Sequence, residues 1–246
     1  NNEKVPEEYS FLEGVELIKT KPEKGAKFDA ALVVDCPNPG RTGGIKKLFS
    51  GVKFIVNIDH HISNENFGDE NWVDPHASSA AEMVYLLYKE MKIVISEKMA
   101  ANVYIAILTD TGSFNYSNTS SLTHHIAGEL LGYGINPHTI STQVYKNKKY
   151  SDLKLLSKSL GTMTLLENGK IAYLVCTKAM LKSTKSMVSA TENFVNFATS
   201  IKGVMIAIFI REEPDKKNCF KISLRSKKDI SVNKVAAIFG GGGHKH

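Results

Sequence analysis

Two short apolar runs in the first quarter of the chain predict buried β-strands. They cover residues 30–34 and 54–58, are rich in branched side chains, and are flanked by Pro, Gly or charged positions. Continuous apolar runs of this length are typical of strands that are covered on both faces, as in a parallel sheet. An acidic residue follows each run directly, so carboxylates are expected at the ends of both strands.

Helical periodicity follows these two strands. Ser79 begins a Ser-Ala-Ala-Glu capping box, and Ser96 is the predicted cap of a second helix. A third helix is expected to end at Gly132 and Gly134, before Pro137. The alternation of strands and helices predicts a parallel α/β sheet. The predicted helices cover residues 79–91, 96–109 and 120–131.

The pattern changes beyond a polar stretch that ends at Tyr150 and a short helix through Leu160. Apolar runs on both sides of Asn168-Gly169 predict a hairpin with a tight turn. A second hairpin is predicted from the runs at 204–210 and 220–224, and a helix at 232–239 precedes four glycines. We therefore expect a strand-dominated second domain. The predicted domains are residues 1–150 and 151–246.

Charge divides along the same boundary. Residues 1–150 carry 15 Lys and Arg against 18 Asp and Glu, whereas residues 151–246 carry 16 against 7. The net charges are therefore −3 and +9. An acidic half suits cation binding and a basic half suits phosphate binding, although a solvated lysine-rich surface gives the same count.

The cysteine usage and hydropathy narrow the class of protein further. The three cysteines are far apart, form no Cys-x-x-Cys pair and each lie in an apolar run, so we expect small packed side chains rather than a disulfide scaffold or a zinc ribbon. No apolar run is long enough to cross a bilayer, and a cytoplasmic protein is expected. The cysteines are Cys36, Cys176 and Cys219.

Three acidic positions fall where the parallel sheet predicts a ligand site. Asp35 follows the first strand, Asp59-His60-His61 follows the second, and Asp110-Thr111-Gly112 follows the helix that begins at Ser96. Loops at the carboxyl ends of parallel strands converge, and mixed carboxylate and imidazole ligands suit manganese or a similar ion. Taken singly, Asp35 is equally a turn former and Asp110 a helix end. The Asp-His-His run is harder to explain without partners, because it directly follows a buried strand.

A second histidine pair, His124-His125, serves as an internal comparison. It lies within the predicted third helix, where adjacent positions point to different sides. We expect a solvated or partly packed pair there rather than metal ligands.

In this order and spacing the motifs resemble the DHH phosphoesterases. The matching elements are Val34-Asp35, Asp59-His60-His61, Asp110-Thr111-Gly112, Leu224-Arg225-Ser226 and Gly241-Gly242-Gly243-His244. The resemblance covers nearly the whole chain and is closest to the nanoRNase and pAp-phosphatase branch. It implies a parallel-sheet metal-binding DHH domain, a smaller mixed-sheet α/β substrate-binding domain, and a cleft between the two.

The resemblance also implies a mechanism and substrates. It predicts two divalent ions, Mn²⁺ first with Mg²⁺ or Co²⁺ as alternatives, and hydroxide held by the metals as the nucleophile. Expected substrates are short oligoribonucleotides, linear dinucleotides and 3′-phosphoadenosine 5′-phosphate. A homodimer is compatible with the family. The implied metal ligands are Asp35, His60 and Asp110; the catalytic residues are Asp59, which orients a histidine, and His61, which donates to a phosphate oxygen; the substrate-binding residues are Arg225, Ser226, Gly242, Gly243 and His244.

The sequence departs from the family pattern at both ends. A histidine and two closely spaced aspartates are expected upstream of Asn1, and the family continues beyond His246 with small residues and a final strand. Three ligands are also too few for two ions that each take five or six donors. We therefore expect the 246 residues to be part of a longer protein, with the missing ligands upstream.

Three other functions remain open from the sequence. A manganese pyrophosphatase shares the Asp-His-His core but usually has a basic motif in place of the glycine-histidine element at 240–244. A RecJ-type single-strand exonuclease usually brings an additional nucleic-acid-binding domain. A non-catalytic RNA-binding module would use only the basic half.

Overall fold

A computed structural model describes residues 5–21, 25–45, 51–227 and 230–241 of the protein. It separates into two compact units, Asn1–Asn147 and Lys148–His246. No helix within the described residues is both long and apolar enough to cross a membrane.

The first unit is built on a three-stranded parallel sheet in the order β1-β2-β3. The two predicted strands are confirmed, but β1 is less buried than expected, with Leu32 62% exposed. β3 was not predicted, because its sequence, Glu-Asn-Trp-Val, is too polar to form an apolar run. The strands are β1 (Ala30–Val34), β2 (Phe54–Asp59) and β3 (Glu70–Val73).

Four helices of the first unit follow the sheet. The predicted caps Ser79 and Ser96 are formed, and Ser120 caps the third helix. Each hydroxyl accepts a hydrogen bond from a backbone N–H in the first helical turn. Pro137 does not act as a breaker: it occupies the first turn of a helix capped by Asn136, where its missing N–H costs nothing. The helices are α1 (Ala80–Glu90), α2 (Glu97–Asp110), α3 (Ser121–Leu131) and α4 (Pro137–Tyr145).

The core of the first unit lies between these helices rather than on the sheet alone. Ile107 of α2 and Leu130 of α3 are fully buried in one apolar cluster, with Ile126 and Tyr85 beside them. Burying each side chain of this size stabilises the fold by about 1.5–3 kcal/mol. The packed helices therefore hold the end of α2, where Asp110 lies, in a fixed position.

The second unit contains a mixed four-stranded sheet in the order β4-β5-β6-β7. Both predicted hairpins are confirmed as antiparallel pairs, and β5 and β6 pair in parallel between them. The expectation of a strand-dominated domain is wrong, because four helices accompany the sheet within the described residues. The elements are α5 (Tyr150–Leu160), β4 (Thr164–Leu166), β5 (Ile171–Cys176), α6 (Lys178–Thr184), α7 (Phe194–Thr199), β6 (Ile206–Glu212), β7 (Phe220–Ser226) and α8 (Val232–Ile238).

Short 3₁₀ segments and the cysteines complete the described fold. Cys36 and Cys176 are buried as expected, but Cys219 is exposed, because it lies in the turn before β7 rather than within a strand. Burial raises the pKa of the Cys176 thiol to about 11, so it is an inert packed group. The 3₁₀ segments are Glu7–Tyr9, Val15–Leu17, Pro39–Ile45 and Val188–Thr191.

Candidate metal centre

Asp35 lies where β1 ends, beside the end of β2. Val34 pairs with Ile58 in the parallel register, and the Asp35 N–H donates to the Ile58 carbonyl at 2.9 Å. The Asp35 backbone has a φ of 57°, a left-handed conformation that is uncommon for a residue with a side chain. Asp adopts this conformation more readily than most residues, and here it turns the chain directly after β1.

Asp59 is fully buried at the end of β2 and binds His61. The Nδ1 of His61 lies 2.7 Å from Asp59 Oδ1, and Asn64 Nδ2 donates to Asp59 Oδ2 at 2.5 Å. Burial acts to raise the pKa of this carboxyl, but the hydrogen bonds from His61 and Asn64 outweigh it and the net shift is downward. Asp59 therefore stays ionised and holds the His61 ring in one orientation.

Two asparagines that the sequence analysis did not single out, Asn57 and Asn64, connect the Asp59–His61 pair to the sheet by hydrogen bonds. Asn64 also donates to Asn57 Oδ1 at 2.8 Å, and Asn57 Nδ2 donates to the carbonyls of Val33 and Cys36. The signal was present in the sequence, because an amide side chain in the middle of an apolar strand requires buried partners. Asn57 thus connects the ends of β1 and β2 and fixes the spacing between Asp35 and Asp59.

The two ring nitrogens of His60 face different partners: Nδ1 faces a backbone carbonyl, and Nε2 faces two carboxylates. Its Nδ1 lies 3.2 Å from the Ala77 carbonyl, which can only accept, so Nδ1 carries the proton. Its Nε2 lies 3.5 Å from Asp35 Oδ1 and 3.7 Å from Asp110 Oδ2. With the proton on Nδ1, the lone pair of Nε2 faces two carboxylate oxygens. A cation between the nitrogen and these oxygens would stabilise the arrangement.

Asp110, the last residue of α2, is buried close to the negative charge of Asp35. Burial first, and then the nearby charge of Asp35, raise the pKa of the Asp110 carboxyl to about 6. Donor atoms of Asp35, His60 and His61 also lie within 4.8 Å of one another. Crowded carboxylates with imidazole nitrogens are the donor set that borderline divalent ions prefer, so these residues fit a metal ion.

Thr111 and Gly112 fix the backbone conformation directly after Asp110. Thr111 is fully buried, and its hydroxyl donates to the Ile107 carbonyl and accepts from the Phe114 N–H. Gly112 has a φ of +54°, and a Cβ there would clash with the Tyr116 ring. A larger residue would therefore have to displace the Tyr116 ring and adopt a strained backbone conformation next to Asp110.

A buried carboxylate, Glu82, joins the loops around the centre. Its backbone N–H completes the expected half of the capping box with Ser79, but its side chain does not close the box. Instead, its Oε2 accepts hydrogen bonds from the hydroxyls of Ser78 and Thr123, at 2.5 and 2.9 Å. The Ser78 residue follows Ala77, whose carbonyl binds His60, so Glu82 supports the position of that ring.

The Glu82 network gives a first testable prediction. Glu82→Ala leaves two buried hydroxyls without an acceptor, so we expect lower thermal stability and Mn²⁺ binding weakened by about 10- to 100-fold, the usual cost of losing an outer partner of a metal ligand. Glu82→Gln should retain both properties, because its amide oxygen can accept from both hydroxyls. Calorimetric titration with Mn²⁺ measures the effect.

Glu129→Ala is the matched control, since Glu129 accepts the Tyr85 hydroxyl in the same group of helices. It should lower stability without weakening Mn²⁺ binding. Equal Mn²⁺ affinity in wild type and Glu82→Ala would contradict the assigned support.

The second histidine pair stays outside the centre. His124 is exposed and stacks on Phe114 with ring centroids 5.2 Å apart, and His125 Nε2 lies 3.8 Å from Glu129. Neither belongs to the ligand cluster found among the described residues.

The predicted substrate-binding residues fall in the second unit and are only partly described. Arg225 is exposed near the end of β7, with Nη1 donating to the Leu224 carbonyl at 3.0 Å. The Ser226 hydroxyl donates to the Ile230 carbonyl at 2.5 Å. Gly242, Gly243 and His244 lie outside the described residues.

Comparison with known proteins gives two family matches. The N-terminal domain of the DHH family matches residues 4–107, and the DHHA1 domain matches residues 168–246. Both matches contain motifs that the sequence analysis singled out. The DHH match includes Asp35 and Asp59-His60-His61, and the DHHA1 match includes Arg225.

Individual relatives cover nearly the whole chain. The Bifunctional oligoribonuclease and PAP phosphatase NrnA of Bacillus subtilis is 32% identical over 96% of this chain and 72% of its own length. The protein of the same name from Thermus thermophilus is 29% identical, with 98% and 68% covered. A crystal structure of an exopolyphosphatase-related protein from Bacteroides fragilis matches with a TM-score of 0.82 and 31% identity, covering 89% of this chain and 64% of that one.

Proposed function

Because the chain belongs to the DHH family of phosphoesterases that carry a DHHA1 domain, we propose that it hydrolyses short oligoribonucleotides and 3′-phosphoadenosine 5′-phosphate. The observation that carries the chemistry is the convergence of His60 Nε2 on Asp35 and Asp110, beside the buried Asp59–His61 pair. The substrates are taken from the names of the Bacillus and Thermus relatives.

Asp35, His60 and Asp110 would hold divalent ions, for which we propose a pair of Mn²⁺. Such ions, when bound, lower the pKa of water and stabilise the oxygens of the phosphoryl group in the transition state. The residues themselves supply the fixed part of the site. Asp35 is held by its bond to the Ile58 carbonyl, and His60 by its bond to the Ala77 carbonyl.

His61 is proposed to act on the substrate rather than on the metals. Its Nδ1 lies 2.7 Å from Asp59 Oδ1, so the buried carboxylate sets the orientation of the ring. The ring would donate a hydrogen bond to a phosphate oxygen, where negative charge grows in the transition state. Asp59 is the orienting residue, because it is buried and touches the ring but not the solvent.

The second unit is proposed to bind a phosphate that is not cleaved. Arg225 carries a guanidinium that can grip a phosphate with two parallel hydrogen bonds, which a lysine cannot do. It is one of only three arginines in the chain, among 28 lysines. Gly242, Gly243 and His244 would complete this proposed group with backbone N–H groups and a ring donor, and Ser226 would lie beside Arg225.

The experiment is a substrate panel on the full-length protein. Hydrolysis of 3′-phosphoadenosine 5′-phosphate, pApA, pGpG, a 5′-phosphorylated trinucleotide, pyrophosphate and a long single strand is followed with Mn²⁺ and with EDTA. We expect turnover of the short nucleotides in Mn²⁺ alone. Turnover of pyrophosphate only, or of the long strand only, would replace the proposal by one of the two rival enzymes. Binding of RNA without any turnover would leave an RNA-binding module.

A further inference from the structure

The second unit contains a pocket of about 270 Å³ on one face of its sheet. The segment 191–195 closes it on one side, and alternate residues of β6 and β7 form the other. Because side chains alternate along a strand, the contributing residues of β7 stand in one row on the same face. These residues are Lys221, Ser223 and Arg225.

Arg211 of β6 forms the floor of this pocket and is only 9% exposed. Its Nη1 donates to Thr191 Oγ1 at 3.1 Å, and its Nη2 donates to Glu213 Oε1 at 2.5 Å, a bond that holds the pKa of Glu213 below its ordinary value. Its Nε is buried without a hydrogen-bond partner among the described residues. A buried guanidinium is costly, so the fold retains here a cation that packing alone would disfavour.

Lys221 increases this cost, because it pairs directly with Arg211 in the antiparallel register of β6 and β7. Like charges placed opposite each other on neighbouring strands destabilise a sheet. The carboxylate of Glu213 neutralises the charge of Arg211. The lining of the pocket nevertheless holds three cations, Arg211, Lys221 and Arg225, and one carboxylate, Glu192. An anion in the pocket would relieve this repulsion.

We propose that Lys221, above the buried Arg211, forms a second anion-binding position that takes a further phosphate of a nucleotide chain. This inference rests on the proposed function, in which Arg225 binds the first non-cleaved phosphate. Lys221 and Arg225 are four residues apart along β7, which is about 13 Å in an extended strand. That separation leaves room for one phosphate at Arg225 and a further phosphate beside Lys221.

The second position therefore discriminates by substrate length. A nucleoside bisphosphate has no further phosphate beyond the one at Arg225, whereas a chain of several nucleotides extends along the row toward Lys221. The pocket is near the lower limit for small-molecule sites and has room for one phosphorylated sugar rather than a whole oligonucleotide. Ser223, between the two cations, can donate a hydrogen bond to the connecting sugar or phosphate.

The test compares Lys221→Ala with wild type, both as full-length protein, on two ligands. The ligands are 3′-phosphoadenosine 5′-phosphate and a 5′-phosphorylated pentanucleotide, each measured for kcat/KM in Mn²⁺ and, with a fluorescent label, for binding by anisotropy in EDTA. We expect about a tenfold loss on the pentanucleotide, the size of one lost charge-assisted hydrogen bond, and less than about a twofold loss on the bisphosphate. Lys202→Ala, an exposed lysine outside the pocket, is the matched control and should change neither.

Equal losses on the two ligands in Lys221→Ala, or no loss on either, would overturn the second position. This result differs from a failure of the proposed function, in which wild type turns over neither ligand while the anisotropy measurement still decides whether Lys221 contributes to length preference. Lys221→Arg, which keeps the charge, should retain most of the pentanucleotide affinity, and a loss as large as that of alanine would also count against the proposal.

Discussion

Asp110→Asn and Asp35→Asn are each expected to reduce kcat by at least about a thousandfold while leaving the protein folded. The loss follows because each change removes a charged donor from the group around His60 Nε2, and metal-assisted phosphoryl transfer depends on such donors to hold the ions. Single-turnover hydrolysis of 3′-phosphoadenosine 5′-phosphate in Mn²⁺ measures the effect. Near-normal kcat in both variants would exclude the proposed roles.

The Asp110→Asn substitution should not destabilise the metal-free protein. The pKa of the Asp110 carboxyl is raised to about 6, above its ordinary value of 3.8, so its ionisation opposes folding once the pH rises through this range. An uncharged amide at this position removes that penalty. The melting temperature of Asp110→Asn in EDTA should therefore exceed that of wild type at pH 8 and approach it at pH 4. A lower melting temperature at pH 8 would show that Asp110 supports the fold instead.

Arg225→Ala is expected to reduce kcat/KM by roughly 10- to 100-fold for substrates that carry a second phosphate. A charge-assisted bidentate contact contributes about 1.5–3 kcal/mol, and alanine removes all of it. A dinucleotide without its terminal phosphate never engages this contact and should lose much less. The measurement is kcat/KM for pApA and for ApA, in wild type and in the variant.

Arg225→Lys is the companion variant, because it keeps the charge but not the planar fork. It should fall between wild type and alanine on pApA. If Arg225→Ala lost the same factor on pApA and ApA, the residue would support folding or general charge and not phosphate recognition. Because Arg225 is exposed on β7, its truncation removes little packing and should leave the fold intact.

Local sequence signals predicted most of the elements correctly, because each was strong enough by itself. The serine caps at Ser79 and Ser96 predicted the starts of α1 and α2 within a residue. The Asn168-Gly169 turn marked the first hairpin of the second unit, where Asn168 and Gly169 both have positive φ. These signals work because a cap or a left-handed turn depends on the side chain at one position.

Elements without such a signal were missed. β3 has a polar sequence and forms because the edge of β2 offers unpaired backbone groups. α6 and α7, at Lys178–Thr184 and Phe194–Thr199, are too short to show a helical period, and packing against the sheet stabilises them. α4, at Pro137–Tyr145, was also missed, because a proline that ends one helix and a proline that begins the next look alike in sequence.

The sequence by itself determined the chemistry of the candidate centre: which carboxylates and imidazoles exist, and that they lie at the ends of two predicted strands and of one helix. Only the tertiary structure decided what each of them contacts. The bond of His60 to the Ala77 carbonyl, the bonds of Asn57 to the carbonyls of Val33 and Cys36, and the pairing of Arg211 with Lys221 all join residues far apart in the chain or on different strands. Residue type and spacing set the donors and acceptors, whereas the pairing of buried polar groups depends on which segments the packed core brings together.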